Sequence, residues 1–489
     1  MTAPMLILGA LLLPLLAALL IGLSHAKPLL RDVVCLASAL LLPLLVLPLV
    51  DPVLAGVRPS LILGQLLPGL EIRFEVEPLG LLFAGVAALL WPINTLYSIG
   101  YMRANQESHQ TRFYICFAIA LSSTLWVAYA GNLLTLFIGY EMLTLSTYPL
   151  VVHQGDRQSI RAGRVYLGLL LASSIGLLLP AMLWTWHRAG TLDFVPGGIL
   201  AGHLDGWLVG GLLLLFVYGT AKAALMPIHR WLPAAMVAPT PVSALLHAVA
   251  VVKAGVFTIV KLLLYVFGVE LLQQEASSHW LLYVAGLSIL VASVIALRQD
   301  NLKLRLAYST ISQLGYVVLA VAILAPLSVV GAALHIAAHA FAKITLFFAA
   351  GAIYTSSHRV RVSQLNGIGR RMPWTMAAFS IAALSMIGVP PTAGFLSKWY
   401  ILMGAFEAEQ MLAVLVVVIS TLLNAAYFVP IIYAAYFKPA DESANEPTEH
   451  GEAPRLMLLA LAASASLTLL LFLFPALPLG LATAILEPG

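Results

Sequence analysis

The chain has 489 residues, of which 61% are hydrophobic and only 9% are charged, and its formal net charge is +4. Soluble domains contain about 45–50% apolar and about 25% charged residues, so this composition excludes an ordinary soluble protein and a disordered one. We therefore predict a polytopic membrane protein. The two cysteines, Cys35 and Cys116, lie in different apolar segments without a CxxC pair or a Cys/His cluster, which argues against iron–sulfur and structural zinc sites.

The predicted fold is all-α, because about fourteen apolar stretches are long enough to cross a bilayer, which takes ~20 residues. The first stretch has no basic region before it and no evident cleavage site, so we interpret it as a retained helix. Two stretches contain helix breaks, the seventh at Pro227 and the twelfth at Pro390 and Pro391. The predicted spans are 4–23, 30–50, 79–99, 112–130, 133–152, 164–186, 207–227, 241–267, 280–297, 304–324, 328–354, 373–405, 411–437 and 455–479.

The connecting loops carry an asymmetric positive charge. With both termini outside, the inner loops hold 17 lysines and arginines, whereas the outer loops hold only Arg58, Arg73 and Arg188. Because lysine and arginine accumulate in cytoplasmic loops, we predict a multi-pass protein of a bacterial plasma membrane with both termini on the periplasmic side. The acidic stretch 441–452 falls in the last cytoplasmic loop and is interpreted as a solvated loop.

The central spans divide into two units of five helices. An odd number of spans in each unit requires the second unit to run inverted relative to the first. In each unit the fourth span carries a lysine beside its proline break, Lys222 in the first and Lys398 in the second, and paired breaks of this kind indicate a secondary-transporter architecture. The predicted divisions are three N-terminal helices in 1–111, the first repeat in 112–267, the inverted repeat in 280–437 and a C-terminal helix in 455–489.

Away from the first and last turns of the predicted spans, six charged side chains remain, and none of them is arginine. A charged lysine at a helix centre costs about 2.5–3.5 kcal/mol, so each must face protein or water, pair with another group, or be neutral. Buried lysine can lose its proton and arginine cannot, which suits a proton path. The six are Glu141, Lys222, Lys253, Lys261, Lys343 and Lys398.

Glu141 is the one acid that the spans place close to these lysines. We predict a Glu141–Lys222 ion pair that holds the proton on Lys222 and releases it when the pair weakens. A neutral Glu141 that is hydrogen-bonded to Thr144 or to a neighbouring helix is the alternative. Pro227 is expected to leave the carbonyl of Ala223, within one turn of Lys222, without its helical partner.

The eighth span carries His247, Lys253 and Lys261. At 100° per residue, His247 and Lys261 lie ~40° apart around the helix, while Lys253 points elsewhere. Lys253 is central, which favours a functional role. Lys261 lies close to the end of the span, so snorkelling to the membrane interface is an equal alternative.

The eleventh span places His335, His339 and Lys343 at positions i, i+4 and i+8 on one helix face. Histidine titrates near neutral pH and can donate at one ring nitrogen while accepting at the other, so this stripe predicts a proton relay. A metal site at the two histidines lacks a carboxylate or cysteine in the nearby sequence, and two hydrogen-bonded core histidines remain an alternative. Lys398, the counterpart of Lys222, is predicted to be the exit-side lysine.

Several of these motifs resemble the proton-conducting, antiporter-like membrane subunits of complex I, of Mrp-type antiporters and of membrane-bound hydrogenases. The resemblance covers roughly 75–440. It implies a fourteen-helix fold with two inverted five-helix repeats and an ion path through Glu141, Lys222, Lys253 and Lys398. The segment 144–150 and the overall length are most similar to the Mrp-type D subunit, and a medium-sized complex I subunit is the alternative. The matching motifs are at 139–141, 222–233, 238–247, 335–343 and 388–395.

The predicted function is therefore proton transport, coupled to a monovalent cation such as sodium, within a complex of several integral membrane subunits. A Gly-rich nucleotide loop and cofactor ligands are missing from the sequence, so we expect no resident cofactor, no metal and no nucleic-acid partner. Direct redox chemistry is disfavoured, although membership in a redox-driven enzyme stays open. A scaffold that no longer conducts is another alternative, against which the retained charges and proline breaks argue.

Overall fold

The computed structural model describes residues 2–67, 69–439 and 451–487. The first part of the chain forms the following elements: α1 (Ala3–Leu23), α2 (Pro28–Val46), α3 (Val50–Leu54), β1 (Ser60–Leu67), β2 (Leu70–Glu75), α4 (Pro78–Ala104), α5 (Gln110–Ala128), α6 (Leu133–Val151), α7 (Arg157–Ser173), α8 (Leu179–Ala189), α9 (Trp207–Gly219), α10 (Trp231–Ala234), α11 (Thr240–Ala244), α12 (Val251–Leu262) and α13 (Val269–Gln274).

The second part of the chain is also helical. Its elements are α14 (Trp280–Arg298), α15 (Leu302–Ala322), α16 (Pro326–Ser357), α17 (Ile368–Arg371), α18 (Pro373–Ile387), α19 (Ala393–Glu407), α20 (Met411–Phe437), α21 (Arg455–Leu473) and α22 (Ala476–Ala484). Single π-helical turns join α7 to α8 and α11 to α12, and a third, Leu263–Phe267, follows α12.

The prediction of a helical, polytopic membrane protein is confirmed. In the described part of the chain, eleven helical stretches are long and apolar enough to cross a bilayer. The three remaining predicted spans correspond to α6, to α9, and to α18 with α19. Most of the predicted acidic stretch 441–452 lies outside the described residues, but Glu452 accepts a hydrogen bond from the hydroxyl of Thr375 at the start of α18 at 2.6 Å.

One element departs from the all-α prediction. Strands β1 and β2 form an antiparallel hairpin in which Ser60 is opposite Glu75. In β2 the apolar residues Leu70, Ile72 and Phe74 alternate with charged ones, which is the period of a strand rather than of a helix. A search for long apolar stretches cannot detect such a short alternating segment.

The break in the seventh predicted span lies earlier than predicted. Helix α9 ends at Gly219, well before Pro227, and Lys222 lies in a single 3-10 turn. The backbone of this turn packs directly on α12, where a Cβ atom on Gly255 would lie 2.1 Å from the amide nitrogen of Ala223. Because Ala223 is not α-helical, the expectation that Pro227 removes its helical partner does not apply.

The twelfth predicted span is interrupted between α18 and α19. Gly388 ends α18 with a φ of +93°, a left-handed conformation that favours glycine. In a continuous helix the carbonyls of Met386 and Ile387 would accept hydrogen bonds from the residues four positions later. Those residues are Pro390 and Pro391, which have no N–H group. The carbonyl groups of Met386 and Ile387 therefore face the break without helical partners.

The centre of the molecule consists of the stretch Thr240–Phe267 and of α16. All residues in the most apolar part of each stretch are buried. In the corresponding parts of α1, α20 and α21, fewer than half of the residues are buried. A helix that is apolar all round and fully buried belongs to the core of a bundle. The polar side chains of these two central stretches must therefore find partners inside the protein.

Candidate functional site

The side chain of Lys222 is fully buried against α6. Its Nζ donates to the carbonyl of Tyr140 at 2.8 Å and to the hydroxyl of Thr144 at 2.5 Å. The same Nζ lies 3.2 Å from the centroid of the Tyr140 ring, a cation–π contact. The sequence predicts an ion pair between Lys222 and Glu141, but Lys222 has neutral partners instead. Among the described residues, Lys222 and Glu141 do not form an ion pair.

Glu141 has a different environment from its neighbours on α6. Adjacent helical residues point about 100° apart, so Tyr140 and Thr144 face the interior while Glu141 is only half-buried. Its Oε1 atom is buried without a hydrogen-bond partner in the described structure. The expected hydrogen bond from Thr144 is also absent, since that hydroxyl donates to the carbonyl of Tyr140. The carboxylate is therefore separate from the Lys222 ammonium.

Lys253 and His339 form a direct contact between the two central helical stretches. The Nζ atom of Lys253 lies 2.6 Å from Nδ1 of His339, and both side chains are fully buried. Nε2 of His339 has no partner in the described structure. Lys253 lies two residues before Gly255, and the Lys222 turn packs on Gly255. The Lys253–His339 contact therefore joins the first half of the chain to α16.

His335 connects α16 to α19 on the other side of this pair. Its Nδ1 lies 2.8 Å from the hydroxyl of Ser397, next to Lys398 in the chain. The His335 ring is 6.2 Å from the His339 ring and stacks at 5.5 Å on Tyr316. The Tyr316 ring in turn lies 4.8 Å from Nζ of Lys398. The two histidines therefore share one helix face, as predicted, but contact different helices.

Lys343, the third member of the predicted stripe, contacts α15. Its Nζ donates to the hydroxyl of Ser309 at 2.9 Å, and the oxygen of that hydroxyl lies 3.1 Å from the Tyr427 hydroxyl oxygen. Tyr427 donates to the side-chain oxygen of Asn424, whose amide group lies 3.5 Å from the carbonyl of Met386. A continuous line of polar groups therefore leads from Lys343 to the break between α18 and α19.

Lys398 lies at the end of that line. Its Nζ donates to the carbonyls of Met386 and Ile387, both at 2.9 Å, which are the two groups that the prolines leave without helical partners. A cation at the carbonyl end of a helix is electrostatically favourable. A Cβ atom on Gly388 would approach the Lys398 side chain to 2.9 Å, so glycine also leaves room for it. The broken helix thus builds the lysine site.

Lys261 is buried in protein near the end of its span, beside residues that lie just outside α4 and α5. It is 1% exposed, its Nζ lies 2.9 Å from Oε1 of Glu77, and it donates to the carbonyl of Ala130 at 2.7 Å. The expectation that Glu141 is the one acid placed near the buried lysines is therefore wrong. Glu77, the residue before α4, is only 6% exposed and pairs with Lys261.

His247 is buried in the π-helical turn between α11 and α12. Its ring lies 4.7 Å from the ring of Phe347 on α16, and neither ring nitrogen has a hydrogen-bond partner in the described structure. The structure therefore brings His247 to α16, but in a separate contact from those of His335 and His339.

Sequence reasoning missed the neutral partners of the charged groups. One signal points to part of this set, because Ser309, Gln313 and Tyr316 are spaced by four and three residues and therefore share one face of α15. This polar face lies against α16 and carries the partner of Lys343. The sequence predicts Thr144 only as a partner of Glu141, not of Lys222. The missed residues are Tyr140, Ser309, Tyr316, Ser397, Asn424 and Tyr427.

Comparison with known proteins identifies the family. Residues 130–424 match the family described as the transmembrane region of NADH:quinone oxidoreductase and Mrp antiporter subunits. The chain belongs to this family. It is 36% identical to NADH-quinone oxidoreductase subunit N of Desulforudis audaxviator over 76% of this chain and 74% of that protein. It is 31% identical to hydrogenase-4 component B of Escherichia coli over 70% of this chain, but it spans about half, 52%, of that protein.

Two solved structures share the fold. A chain of the Mrp complex from Dietzia sp. DQ12-45-1b superposes with a TM-score of 0.85 at 21% identity, covering 99% of this chain and 97% of that one. A chain of the archaeal membrane-bound sulfane sulfur reductase does so with the same TM-score at 23% identity, covering 98% of both chains. The protein is thus a multi-pass, antiporter-like, proton-translocating membrane subunit of the class found in Mrp and complex I-like assemblies.

Proposed function

We propose that the protein translocates protons as the D-type subunit of a Mrp-type monovalent cation/proton antiporter, with sodium as the exchanged cation. One observation carries the proposal. Four fully or nearly buried lysines lie in the bundle with no carboxylate within ion-pair distance among the described residues, and they contact only neutral donors and acceptors. The four are Lys222, Lys253, Lys343 and Lys398.

Buried lysines without counter-charges stabilise nothing by ion pairing, so a structural ion pair does not account for them. A lysine amine can give up its proton to a neighbour and take one back, whereas a guanidinium keeps its proton, and this exchange is the behaviour required of a proton carrier. The contact between Lys253 and His339 supplies an adjacent donor and acceptor for such a transfer. His335, with Ser397 and Tyr316, extends the relay towards Lys398.

The proposed mechanism uses two inverted five-helix repeats, 112–267 and 280–437, in which Lys222 and Lys398 correspond. Both lysines lie at interrupted helices, which supports this correspondence. Lys398 exchanges protons with the far side of the membrane. Glu141 is only half-buried, so a neighbouring membrane subunit can contact it, move it relative to Lys222 and so couple the subunits.

A second candidate is a proton-pumping subunit of a complex I-like NADH:quinone oxidoreductase or hydrogenase. The 36% identity to a subunit N, over three quarters of both chains, favours it. The two candidates differ in the partner subunits and in the energy source, not in the path through this chain. In either case we place the protein in a bacterial plasma membrane.

Proton movement in the assembled complex tests the path. Lys253→Met and Lys398→Met, reconstituted in vesicles with a pH-sensitive dye, should each lower the proton flux by about tenfold or more because the relay loses a proton-carrying group. Lys438→Met, in an exposed position after α20, is the control and should keep the flux of the parent protein. Unchanged flux in both core variants, with normal assembly, would contradict the proposal.

Copurification distinguishes the two assemblies. A tagged chain that brings down only other small membrane subunits, and whose proton flux depends on sodium, supports the antiporter. Flavin or iron–sulfur subunits in the same complex would instead support the complex I-like or hydrogenase assembly. Both outcomes are read by mass spectrometry of the detergent-solubilised complex.

A further inference from the structure

A cavity of about 220 Å³ is lined by residues that do not belong to the proposed lysine relay. It is lined by Glu107 in the loop before α5, Thr240 at the start of α11, Lys303 at the start of α15, and Tyr354 near the end of α16. The cavity therefore lies where the two central helical stretches end and meet the loops. Its volume is sufficient for several water molecules.

The floor of the cavity continues as a polar face of the first central stretch. Thr240, Ser243 and His247 are spaced by three and four residues, so they follow one another along one helix face. Ser243 and His247 are fully buried. The Ser243 hydroxyl and both ring nitrogens of His247 have no hydrogen-bond partner among the described residues.

The opposite wall is one face of α16. Lys343, Phe347, Ala350 and Tyr354 are spaced by four, three and four residues. Ala350 and Tyr354 line the cavity, Phe347 contacts His247, and Lys343 belongs to the relay. The two faces therefore run together from the cavity to the buried lysine.

The unpartnered groups are the decisive observation. A buried polar atom without a hydrogen bond costs about 1–3 kcal/mol, so a run of them is rare in a packed helix interface. Water that reaches them from the cavity would satisfy the Ser243 hydroxyl and the His247 ring together. Such a line of water and hydroxyl groups also conducts protons.

Glu107 is the acidic group at the cavity mouth. Its Oε2 lies 3.9 Å from Nε2 of His153, while Lys303 donates to the carbonyl of Ala238 at 2.6 Å rather than to this carboxylate. The other charged or titratable groups around it are Arg112, which donates to the His153 carbonyl, and the cavity-lining Tyr101, Tyr354 and Arg359. Partial burial raises the pKa of Glu107, and the charge of Lys303 opposes this shift. The net effect moves the pKa of the carboxyl towards neutral pH.

We propose that this cavity is the proton-uptake mouth of the protein, in which Glu107 collects protons and Ser243 and His247 pass them through water to Lys343 and the Lys253–His339 pair. The inference rests on the proposed proton transport and adds to it the route by which protons reach the relay. It assigns a role to Glu107 and Ser243, which the lysine relay does not include.

Flux measurements on the assembled complex test the role of these two residues. Glu107→Gln and Ser243→Ala should each lower the proton flux by about tenfold, because each removes one proton-carrying group from the route. For Glu107→Gln the loss should be largest when the mouth side is alkaline, since protons are then scarce. Asp156→Asn and Ser122→Ala are the matched controls, being an exposed acid that caps α7 and a buried serine bonded to the carbonyl of Leu11.

Thiol accessibility tests the route without relying on transport. In a background with Cys35 and Cys116 replaced by alanine, Thr240→Cys should react with 2-aminoethyl methanethiosulfonate, and Ser243→Cys should react with silver ions. Both reactions should occur from the mouth side only. Ser312→Cys, buried beside Ser293, is the control and should stay unreactive.

The two experiments separate failure of this inference from failure of the proposed function. If the complex conducts protons but Glu107→Gln and Ser243→Ala retain full flux and neither cysteine reacts, the uptake route is overturned and the relay stands. If the cysteines react from one side but the parent complex conducts no protons, the proposed function fails and the cavity is a water-filled pocket of another kind.

Discussion

Lysine occupies the charged positions at the centre of this bundle, and its contacts show why arginine would not replace it. The ammonium of Lys398 fits between two carbonyls that the proline break leaves free, and that of Lys222 fits between a carbonyl and a hydroxyl. A guanidinium is planar, presents five donors and keeps its proton. Each of these sites offers too few acceptors for it.

The Glu77–Lys261 pair differs from the relay lysines because it is a buried ion pair. Glu77→Gln or Lys261→Met should each destabilise the protein by about 3–5 kcal/mol, since one buried charge is left without its partner. The double variant should recover most of this loss. Thermal unfolding of the protein in detergent measures both effects.

The Arg73–Glu75 pair on the hairpin is the control for this prediction. Its side chains are 34% and 23% exposed, so Glu75→Gln should cost only about 0–1 kcal/mol. Equal costs for Glu75→Gln and Glu77→Gln would show that burial of the Lys261 pair contributes nothing.

His153, in the loop after α6, gives a pH dependence with a definite sign. Burial, with the charge of Arg112, lowers its pKa from 6.5 to about 4. Between these values the unfolded chain binds a proton that the folded protein does not, so stability decreases as the pH falls from about 6.5 towards 4. Melting temperatures across this range should fall less steeply for His153→Gln. An unchanged slope would contradict the assignment.

At the scale of elements, the interrupted helices position the lysines, and α12 supports the first interruption. Gly255→Ala would place a methyl group 2.1 Å from the amide nitrogen of Ala223, so the Lys222 turn must move away from α12. We expect a loss of about 1–3 kcal/mol in stability and a lower proton flux. Differential scanning calorimetry and flux assays on one preparation measure both.

Gly168→Ala in α7 is the matched control, because nothing lies within 4 Å of its added methyl group. A helical glycine replaced by alanine at such a site should leave the protein unchanged or more stable by up to about 1 kcal/mol. If Gly255→Ala behaves like Gly168→Ala, the direct packing of the turn on α12 is not what holds Lys222.

The order of elements and the polar face of α16 were predictable from the chain, but the partners of that face were not. Its residues His335, His339 and Lys343 share a face by simple periodicity, which the sequence shows. Their partners, Ser397, Lys253 and Ser309, come from three different helices and depend on how α16 is rotated against each. Periodicity along one helix contains no information about that rotation.

At the scale of the whole molecule, the charge asymmetry of the loops predicts the orientation in the membrane. Ser108, before α5, should face the cytoplasm, and His203, before α9, should face the periplasm, because three spans separate them. A membrane-impermeant maleimide on intact cells should therefore label His203→Cys and not Ser108→Cys, in the background without Cys35 and Cys116. The reverse pattern would invert the predicted topology and the side of the proposed uptake mouth.

The sequence by itself determined which stretches cross the membrane and which charges lie within them, because hydropathy is a local property that adds up along the chain. Only the tertiary structure decided the partners of those charges: Thr144 rather than Glu141 for Lys222, and Glu77 for Lys261. Hydrogen bonds between helices depend on their rotation, register and breaks. These follow from the packing of the whole bundle, to which residues far apart in the chain contribute together.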